Sequence, residues 1–197
     1  MRKLALASFA VLAVVAVVGC GPSAPKFMAS DVTGTSYGRD FQLVDHNGKP
    51  RTLADYHGKA VVMFFGYTQC PDVCPTTLAE LAEAMKRLGP DADRVQVLFV
   101  TVDPERDTPD LLSKYVPAFD PRFVGLYGDA DATARTAKEF KIIYQKQPGQ
   151  TPGTYTMDHS AGTFVFDPNG KLRVYVGYGQ GADVFAHDLR ELLRNQG

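Results

Sequence analysis

The chain is poor in the residues that thiol and metal chemistry require. Its 197 residues include only three cysteines and four histidines, so each candidate can be weighed separately. The formal net charge is −1 and no long basic run is present, which argues against nucleic acid as a partner. With 45% hydrophobic and 22% charged residues, the composition excludes a disordered, collagen-like or polytopic membrane protein. The length allows one domain, or at most two small ones.

The start of the chain predicts an export signal. Arg2 and Lys3 precede residues 4–18, a charge-free run that is short for a membrane span of about 20 residues. Residues 17–20 read VVGC and resemble the lipobox of bacterial lipoproteins, which implies cleavage before Cys20 and lipidation of Cys20. The alternative is an uncleaved anchor with an incidental cysteine. Either reading predicts an exported, membrane-anchored protein that faces the periplasm or the cell exterior.

The rest of the chain divides into a tether and a domain. We predict a lipoprotein signal peptide over residues 1–19, a flexible tether rich in small residues over 20–36, and a single domain over 37–197. Without its first 19 residues the chain keeps 19 basic and 22 acidic side chains, a net charge of −3. A domain of roughly 160 residues buries about 70% of its unfolded surface and needs no disulfide for stability.

Apolar runs and amphipathic stretches alternate along the domain. Turn residues at 45–48 predict an N-terminal β-hairpin. Beyond it, the patterns predict strands at 61–65, 95–102 and 123–127, and a further strand that starts at 141–144 and precedes a loop. They predict a second hairpin at 163–166 and 172–176. Helices are predicted at 76–88, from 108, at 129–140 and at the end of the domain. This alternation predicts an α/β fold with a central mixed sheet flanked by helices. The closing hairpin and helix are typical of a thioredoxin-like fold.

Two cysteines follow the first buried strand. Cys70 and Cys74 stand where the carboxyl end of a parallel strand meets a helix start, a usual place for sites in α/β sheets. Helix N-termini lower thiol pKa values. The spacing is C-x-x-x-C rather than the C-x-x-C of thiol oxidoreductases, and it allows a redox-active disulfide or two soft metal ligands. The remaining alternative is a structural disulfide, although so short a loop removes little chain entropy.

One histidine stands apart from the other three. His46, His57 and His187 lie in a predicted turn, a polar connector and the polar side of the last helix, which predicts surface positions. His159 precedes the apolar strand at 163–166, and in thioredoxin-like folds this entry point lies against the cysteine-bearing helix start. Two thiolates and one imidazole form a soft ligand set that suits Cu(I) and also accepts Zn(II).

Three motifs together resemble the Sco (SenC/PrrC) family. They are GYTQCPDVCP at 66–75, VDPERDTP at 102–109, and DHS at 158–160 ahead of FDPNG at 166–170. The resemblance implies a thioredoxin-like protein that helps to assemble the copper centre of cytochrome c oxidase. It maps the copper ligands, for Cu(I) or Cu(II), onto Cys70, Cys74 and His159. The implied partners are the copper-bearing subunit of the oxidase or another copper chaperone.

Two carboxylates are candidates for a supporting role. The resemblance places Asp103 beside the site, as a weak ligand or a partner of a ligand; the alternative is a cap for the next segment. Asp72 lies between the cysteines and could tune the site or attract a basic partner; the alternative is a solvated loop residue.

Two classes of function remain open. A metallochaperone, which is not an enzyme, would pass copper on by ligand exchange. A thiol–disulfide oxidoreductase would keep the cysteines of an acceptor reduced. The histidine discriminates between them, because disulfide exchange does not need it. A peroxidase is disfavoured, since Pro71 stands where peroxiredoxins have threonine three residues before the reactive cysteine.

Overall fold

The computed structural model describes residues 25–194. The predicted signal peptide and the lipidation site Cys20 therefore lie outside the described residues. The strands are β1 Ser30–Asp31, β2 Leu43–Asp45, β3 Pro50–Arg51, β4 Ala60–Gly66, β5 Val95–Thr101, β6 Val124–Tyr127, β7 Tyr144–Pro148, β8 Tyr155–His159, β9 Thr163–Phe166 and β10 Leu172–Val176. The helices are α1 Val73–Leu88, α2 Pro109–Tyr115, α3 Ala130–Glu139 and α4 Gly181–Arg194, with short 3-10 segments at Leu53–Tyr56 and Gly89–Arg94.

Eight strands form one mixed sheet in the order β1-β10-β9-β4-β5-β6-β2-β3. Strands β4, β5 and β6 run parallel, and every other pairing in this sheet is antiparallel. All seven residues of β4 are buried, as its continuous apolar run requires. Helices α1 and α4 pack together, and α2 packs on β6. The predicted mixed sheet and both predicted hairpins are confirmed. Within residues 25–194, no helix has the length and apolarity that a membrane crossing requires.

Helix α1 begins at Val73, three residues before the predicted start. Pro75 does not interrupt it, because the first turn of a helix needs no N–H donor there and the fixed φ of proline suits this position. The earlier start places Cys74 inside the first turn of the helix rather than in the preceding loop. The sulfur of Cys74 is thereby turned towards the sheet and is fully buried.

A second, two-stranded sheet was only half predicted. Strands β7 and β8 pair in an antiparallel hairpin, with Tyr144 opposite His159. The sequence predicted a strand starting at 141–144 followed by a loop, and it missed β8. The hairpin has only a few buried positions, so it lacks the apolar run that marks the strands of the main sheet. His159 is thus the last residue of a strand.

The domain begins earlier than the predicted boundary at residue 37. Part of the predicted tether pairs through β1 with β10, so β1 forms one edge of the main sheet. The backbone N–H groups of Met28 and Ala29 donate to the buried carboxylate of Asp188 in α4, at 2.7 and 3.0 Å. The segment is also held by the backbone N–H of Lys26, which donates to Glu191 in α4, and by packing of Phe27 on the core. These partners are distant in sequence, so no local pattern predicts the attachment.

Candidate metal centre

Three soft ligands meet at the carboxyl end of β4. The ligand atoms of Cys70, Cys74 and His159 all lie within 4.8 Å of one another. The Sγ atom of Cys74 is 3.5 Å from Nε2 of His159, and the backbone N–H of Cys74 donates to Sγ of Cys70 at 3.4 Å. Both cysteines are free thiols. No other group of three such side chains comes this close within the described part of the chain.

The end of β4 makes room for the sulfur of Cys74. A Cβ atom on Gly66 would lie 2.8 Å from this sulfur and 2.9 Å from a ring carbon of Phe99, closer than real side chains approach. The next residue, Tyr67, donates its backbone N–H to the same sulfur. The last position of the strand therefore requires glycine, which allows the sulfur to lie directly against the sheet.

The imidazole of His159 is held in an orientation that suits metal binding. Its Nδ1 lies 3.0 Å from the carbonyl oxygen of Ser160, which assigns the proton to Nδ1 and leaves the Nε2 lone pair facing Cys74. The rings of Phe64 and Tyr67 contact the imidazole edge-on, with centroids 6.3 and 5.9 Å away. The hydrogen bond from Nδ1 to Ser160 and the contacts with the two aromatic rings thus orient the imidazole before any ion binds.

Burial sets the charge state of the site. Burial raises the pKa of the Cys74 thiol above its usual range, and the N–H of Tyr67 offsets only part of this effect. Burial also lowers the pKa of His159. The expectation that a helix start lowers the thiol pKa is therefore wrong for Cys74, because burial disfavours the charged thiolate. Without an ion, Cys74 and His159 are both neutral, and an arriving cation displaces the thiol proton.

Asp103 is connected through an arginine to the loop and the strand that carry the clustered residues. Its buried carboxylate accepts hydrogen bonds from the hydroxyl of Tyr155 at 2.8 Å and from Nε of Arg106. The guanidinium of Arg106 lies 3.6 Å from the ring centroid of Tyr155 and donates to its carbonyl oxygen at 2.9 Å and to the side chain of Gln69 at 3.1 Å. Asp103 is not one of the three clustered ligands. Its network joins the loop that carries the first cysteine to the strand that ends at the histidine.

A second buried carboxyl was missed by the sequence reasoning. Asp107 accepts hydrogen bonds from the hydroxyls of Thr68 and Thr101, both at 2.6 Å, and from the backbone N–H of Thr68 at 3.1 Å. Burial raises the pKa of Asp107. It fastens the cysteine loop to the end of β5. The signal was present, because Asp107 belongs to the same VDPERDTP motif that contains Asp103.

The other candidates lie outside the three-ligand cluster. Asp72 is exposed at the start of α1 and accepts a weak hydrogen bond from the hydroxyl of Thr76. His57 is exposed, as predicted. His187 is half-buried and lies against the carboxylate of the neighbouring Asp188. The predicted solvated position of His46 is wrong: this side chain is half-buried because its Nδ1 accepts the backbone N–H of Gly125 on β6.

Comparisons with known proteins agree on one family. A family model described as SCO1/SenC matches residues 30–194. The mouse (Mus musculus) protein named "Protein SCO2 homolog, mitochondrial" is 37% identical over 153 residues, which cover 77% of this chain and 60% of that protein. The chain spans about three fifths of the length of the curated mitochondrial relatives it matches.

Comparison with solved structures also finds members of the Sco family. The structure of Bradyrhizobium japonicum ScoI with copper bound is 40% identical, with a TM-score of 0.73 over 80% of this chain and 99% of that chain. The solution structures of apo Sco1 from Thermus thermophilus are also 40% identical, with a TM-score of 0.75 over 85% of this chain and 98% of that chain.

Proposed function

This chain belongs to the SCO1/SenC family and has a thioredoxin-like fold, and from this premise we propose that it is a copper metallochaperone. The observation that carries the proposal is the cluster of Cys70, Cys74 and His159 within 4.8 Å. Thiolate ligands select Cu(I), and imidazole is a common copper ligand. The 40% identical Bradyrhizobium protein, whose structure contains copper, supports copper as the ion. We propose that the acceptor is the copper-bearing subunit of cytochrome c oxidase or another copper chaperone.

The different burial of the two cysteines gives an order to ligand exchange. Cys70 is partly exposed, so an incoming thiol of the acceptor displaces it first. Cys74 is buried and faces His159, so this pair releases copper last. The acceptor thiols lose protons as they bind, and the raised pKa of Cys74 favours its reprotonation once copper has left. Proton uptake by Cys74 therefore assists the final step of transfer.

We also propose that lipid on Cys20 holds the domain at a membrane surface outside the cytoplasm. The support is the sequence of the first 20 residues, with its positive start, charge-free run and VVGC lipobox-like end. Attachment to a membrane would place the domain beside a membrane-bound acceptor.

The cysteine pair favours copper transfer over disulfide exchange as the main activity. An attacking cysteine must be a thiolate, and the buried Cys74 is held as a neutral thiol. Cys70 is partly exposed and is therefore the candidate nucleophile of the pair. Disulfide exchange also gives no role to His159, whose Nε2 faces Cys74. Thiol–disulfide exchange with an acceptor is the alternative function, and a His159→Ala variant distinguishes the two.

Removal of the histidine ligand tests the proposal directly. We expect the full chain in detergent to bind one Cu(I) under anaerobic conditions. His159→Ala should bind Cu(I) at least about 100-fold more weakly, because loss of a ligand lowers metal affinity more than loss of a residue that only contacts a ligand. Exposed His57→Ala is the matched control and should bind like wild type. Copper affinity is measured by competition with a chromophoric chelator. If His159→Ala binds as tightly as wild type, while wild type rapidly reduces protein disulfides, the oxidoreductase function is correct instead.

Copper affinity should rise with pH. The raised pKa of Cys74 keeps this thiol protonated at neutral pH, so it must release a proton when copper binds. The lowered pKa of His159 leaves the imidazole neutral there, so it releases none. We expect the Kd for Cu(I) to tighten by about tenfold or more per pH unit through the neutral range. Competition titrations at several pH values, corrected for the chelator, measure this slope, and a flat profile would show that Cys74 is already ionised.

A further inference from the structure

Three large apolar side chains are exposed within residues 25–194. Met28, Ile143 and Tyr178 are 59%, 78% and 46% exposed, and none of them belongs to the core cluster. Single exposed apolar residues are ordinary on protein surfaces, so exposure alone indicates no function. Their positions relative to the three clustered ligands decide which of them can contact a partner.

Ile143 is held beside the histidine ligand. Its carbonyl oxygen accepts the backbone N–H of Ser160 at 2.9 Å, and its own N–H donates to the hydroxyl of Ser160 at 3.1 Å. Ser160 directly follows His159, and the next residue after Ile143, Tyr144, pairs with His159 across the hairpin. Backbone hydrogen bonds therefore keep the exposed isoleucine next to the residue that would bind copper.

Tyr178 lies at the edge of the sheet where the ligands meet. It follows the end of β10, where Val176 pairs with Thr163, and Thr163 pairs with Phe64 near the end of β4. The carboxyl end of β4, the start of β9 and the end of β10 thus meet at one edge, here called the ligand edge. Met28 instead lies beside the middle of α4, through its N–H to Asp188.

Copper transfer would bring a partner protein onto the ligand edge. The thiols of an acceptor have to reach the copper ligands, of which Cys70 is the partly exposed cysteine. A specific interface covers about 800 Å² on each partner, which corresponds to a disc of roughly 16 Å radius. A footprint of this size around Cys70 extends over Ile143, because Ile143 contacts the residue that follows His159. The centre of an interface excludes water and favours apolar and aromatic side chains.

The exposed charges beside the ligands are acidic. Asp72 lies between the two cysteines and Asp158 directly precedes the histidine ligand, and both are exposed. The two nearby cations, Arg106 and Lys146, each already pair with another carboxylate. A partner with basic residues around its apolar contact surface would complement this charge.

We propose that Ile143 and Tyr178 are the apolar contacts through which this chain docks the protein that accepts its copper, and that the matching surface of that protein is apolar with basic residues around it. The inference rests on the proposed copper transfer and specifies how the partner is recognised. Neither residue belongs to the three-ligand cluster, so docking leaves the ligands free to exchange.

The test compares copper transfer to a protein with copper removal by a small molecule. The reduced full chain in detergent is loaded with one Cu(I) and mixed anaerobically with the metal-free oxidase subunit proposed as acceptor. At limiting acceptor concentration, the double variant Ile143→Ser/Tyr178→Ser should transfer copper at least about tenfold more slowly than wild type, because central contacts carry most of the affinity of an interface. A chromophoric chelator needs no docking and should remove copper from both at the same rate.

Three controls accompany the double variant. Met28→Ser removes an exposed apolar side chain elsewhere and should leave both rates unchanged. Thermal unfolding of the double variant should match wild type, because exposed substitutions change stability little. Transfer by wild type to the oxidase subunit should slow as salt rises, because salt screens the acidic ligand edge from a basic partner. A rate that does not depend on salt would contradict the basic surround.

The possible outcomes separate the inference from the proposed function. Equal transfer by wild type and the double variant would overturn the inference and leave the copper proposal intact. Altered copper affinity or chelator removal in the double variant would also overturn it, since the two residues would then act on the copper site. Dimers of wild type that the double variant does not form would assign the surface to a second copy instead. Copper-loaded wild type that transfers nothing to the subunit would reject both the acceptor and the inference, whereas a wild type that binds no copper would reject the proposed function itself.

Discussion

Cys74→Ser is expected to abolish tight copper binding, whereas Cys70→Ser should keep part of it. The buried sulfur of Cys74 faces Nε2 of His159 at 3.5 Å, so Cys70→Ser leaves a preformed thiol–imidazole pair whose thiol loses its proton when copper binds. Cys74→Ser leaves only the partly exposed thiol and the imidazole, with a hard hydroxyl between them. We expect losses in Cu(I) affinity of about 1,000-fold or more for Cys74→Ser and about 100-fold for Cys70→Ser, because soft thiolates dominate Cu(I) selection.

Anaerobic competition titrations of the full chain measure both affinities, with the double Cys70→Ser/Cys74→Ser variant as the zero-binding reference. Serine at position 74 can still accept the backbone N–H of Tyr67, so thermal unfolding should show that the fold persists. Equal losses for the two single variants would contradict the unequal roles derived from burial. Tight binding by the double variant would place the copper site elsewhere.

Asp103→Ala is expected to weaken both the fold and the metal site. The carboxylate of Asp103 pairs with Arg106, whose side chain is only 20% exposed. Truncation of one partner of such a pair leaves an uncompensated charge and costs about 3 kcal/mol or more. The arginine then no longer holds Gln69 and Tyr155 in place, so the cysteine loop and β8 separate more easily. Copper affinity should fall by about 10–100-fold, the range typical for residues that support a metal ligand.

Urea unfolding and copper titration of the same samples test this expectation. Tyr155→Phe is the matched control, because it removes one hydrogen bond to Asp103 and keeps the ring under Arg106. It should cost only about 1 kcal/mol. If Asp103→Ala unfolds at the wild-type midpoint, Arg106 does not depend on this carboxylate. A loss of copper affinity in Tyr155→Phe as large as in Asp103→Ala would assign the effect to the hydroxyl rather than to the ion pair.

The parts of the fold that depend on local apolar patterns could be predicted from the sequence. Strand β4 is a continuous apolar run, and the helix that follows it has one apolar face. The hairpin β7–β8 could not be predicted completely, because only one of its strand positions is fully buried and no continuous apolar run marks it. The attachment of Met28 and Ala29 to Asp188 joins residues about 160 positions apart, which no local pattern encodes.

The candidate site could be predicted from the sequence only in part. The three clustered residues were predicted from motif and resemblance, and the structure brings them together. Their charge states were not predictable, because the pKa of Cys74 depends on burial by residues distant in sequence. The sequence identified Asp103 but not Arg106, through which it acts. The contacts of Arg106 depend on how its turn and the β7–β8 hairpin pack together, so the sequence does not show them.

The attachment of the N-terminal segment to α4 would limit how far a domain anchored by lipid on Cys20 can move from a membrane. With the proposed lipid on Cys20, at most the seven residues between that anchor and the fixed backbone of Met28, or eight Cα-to-Cα steps, could act as a linker. A fully extended chain of this length spans at most about 29 Å, about the width of a small domain. Copper could then be transferred only to acceptors whose copper sites lie close to the same membrane surface. The short linker would thereby restrict which partners the domain can reach.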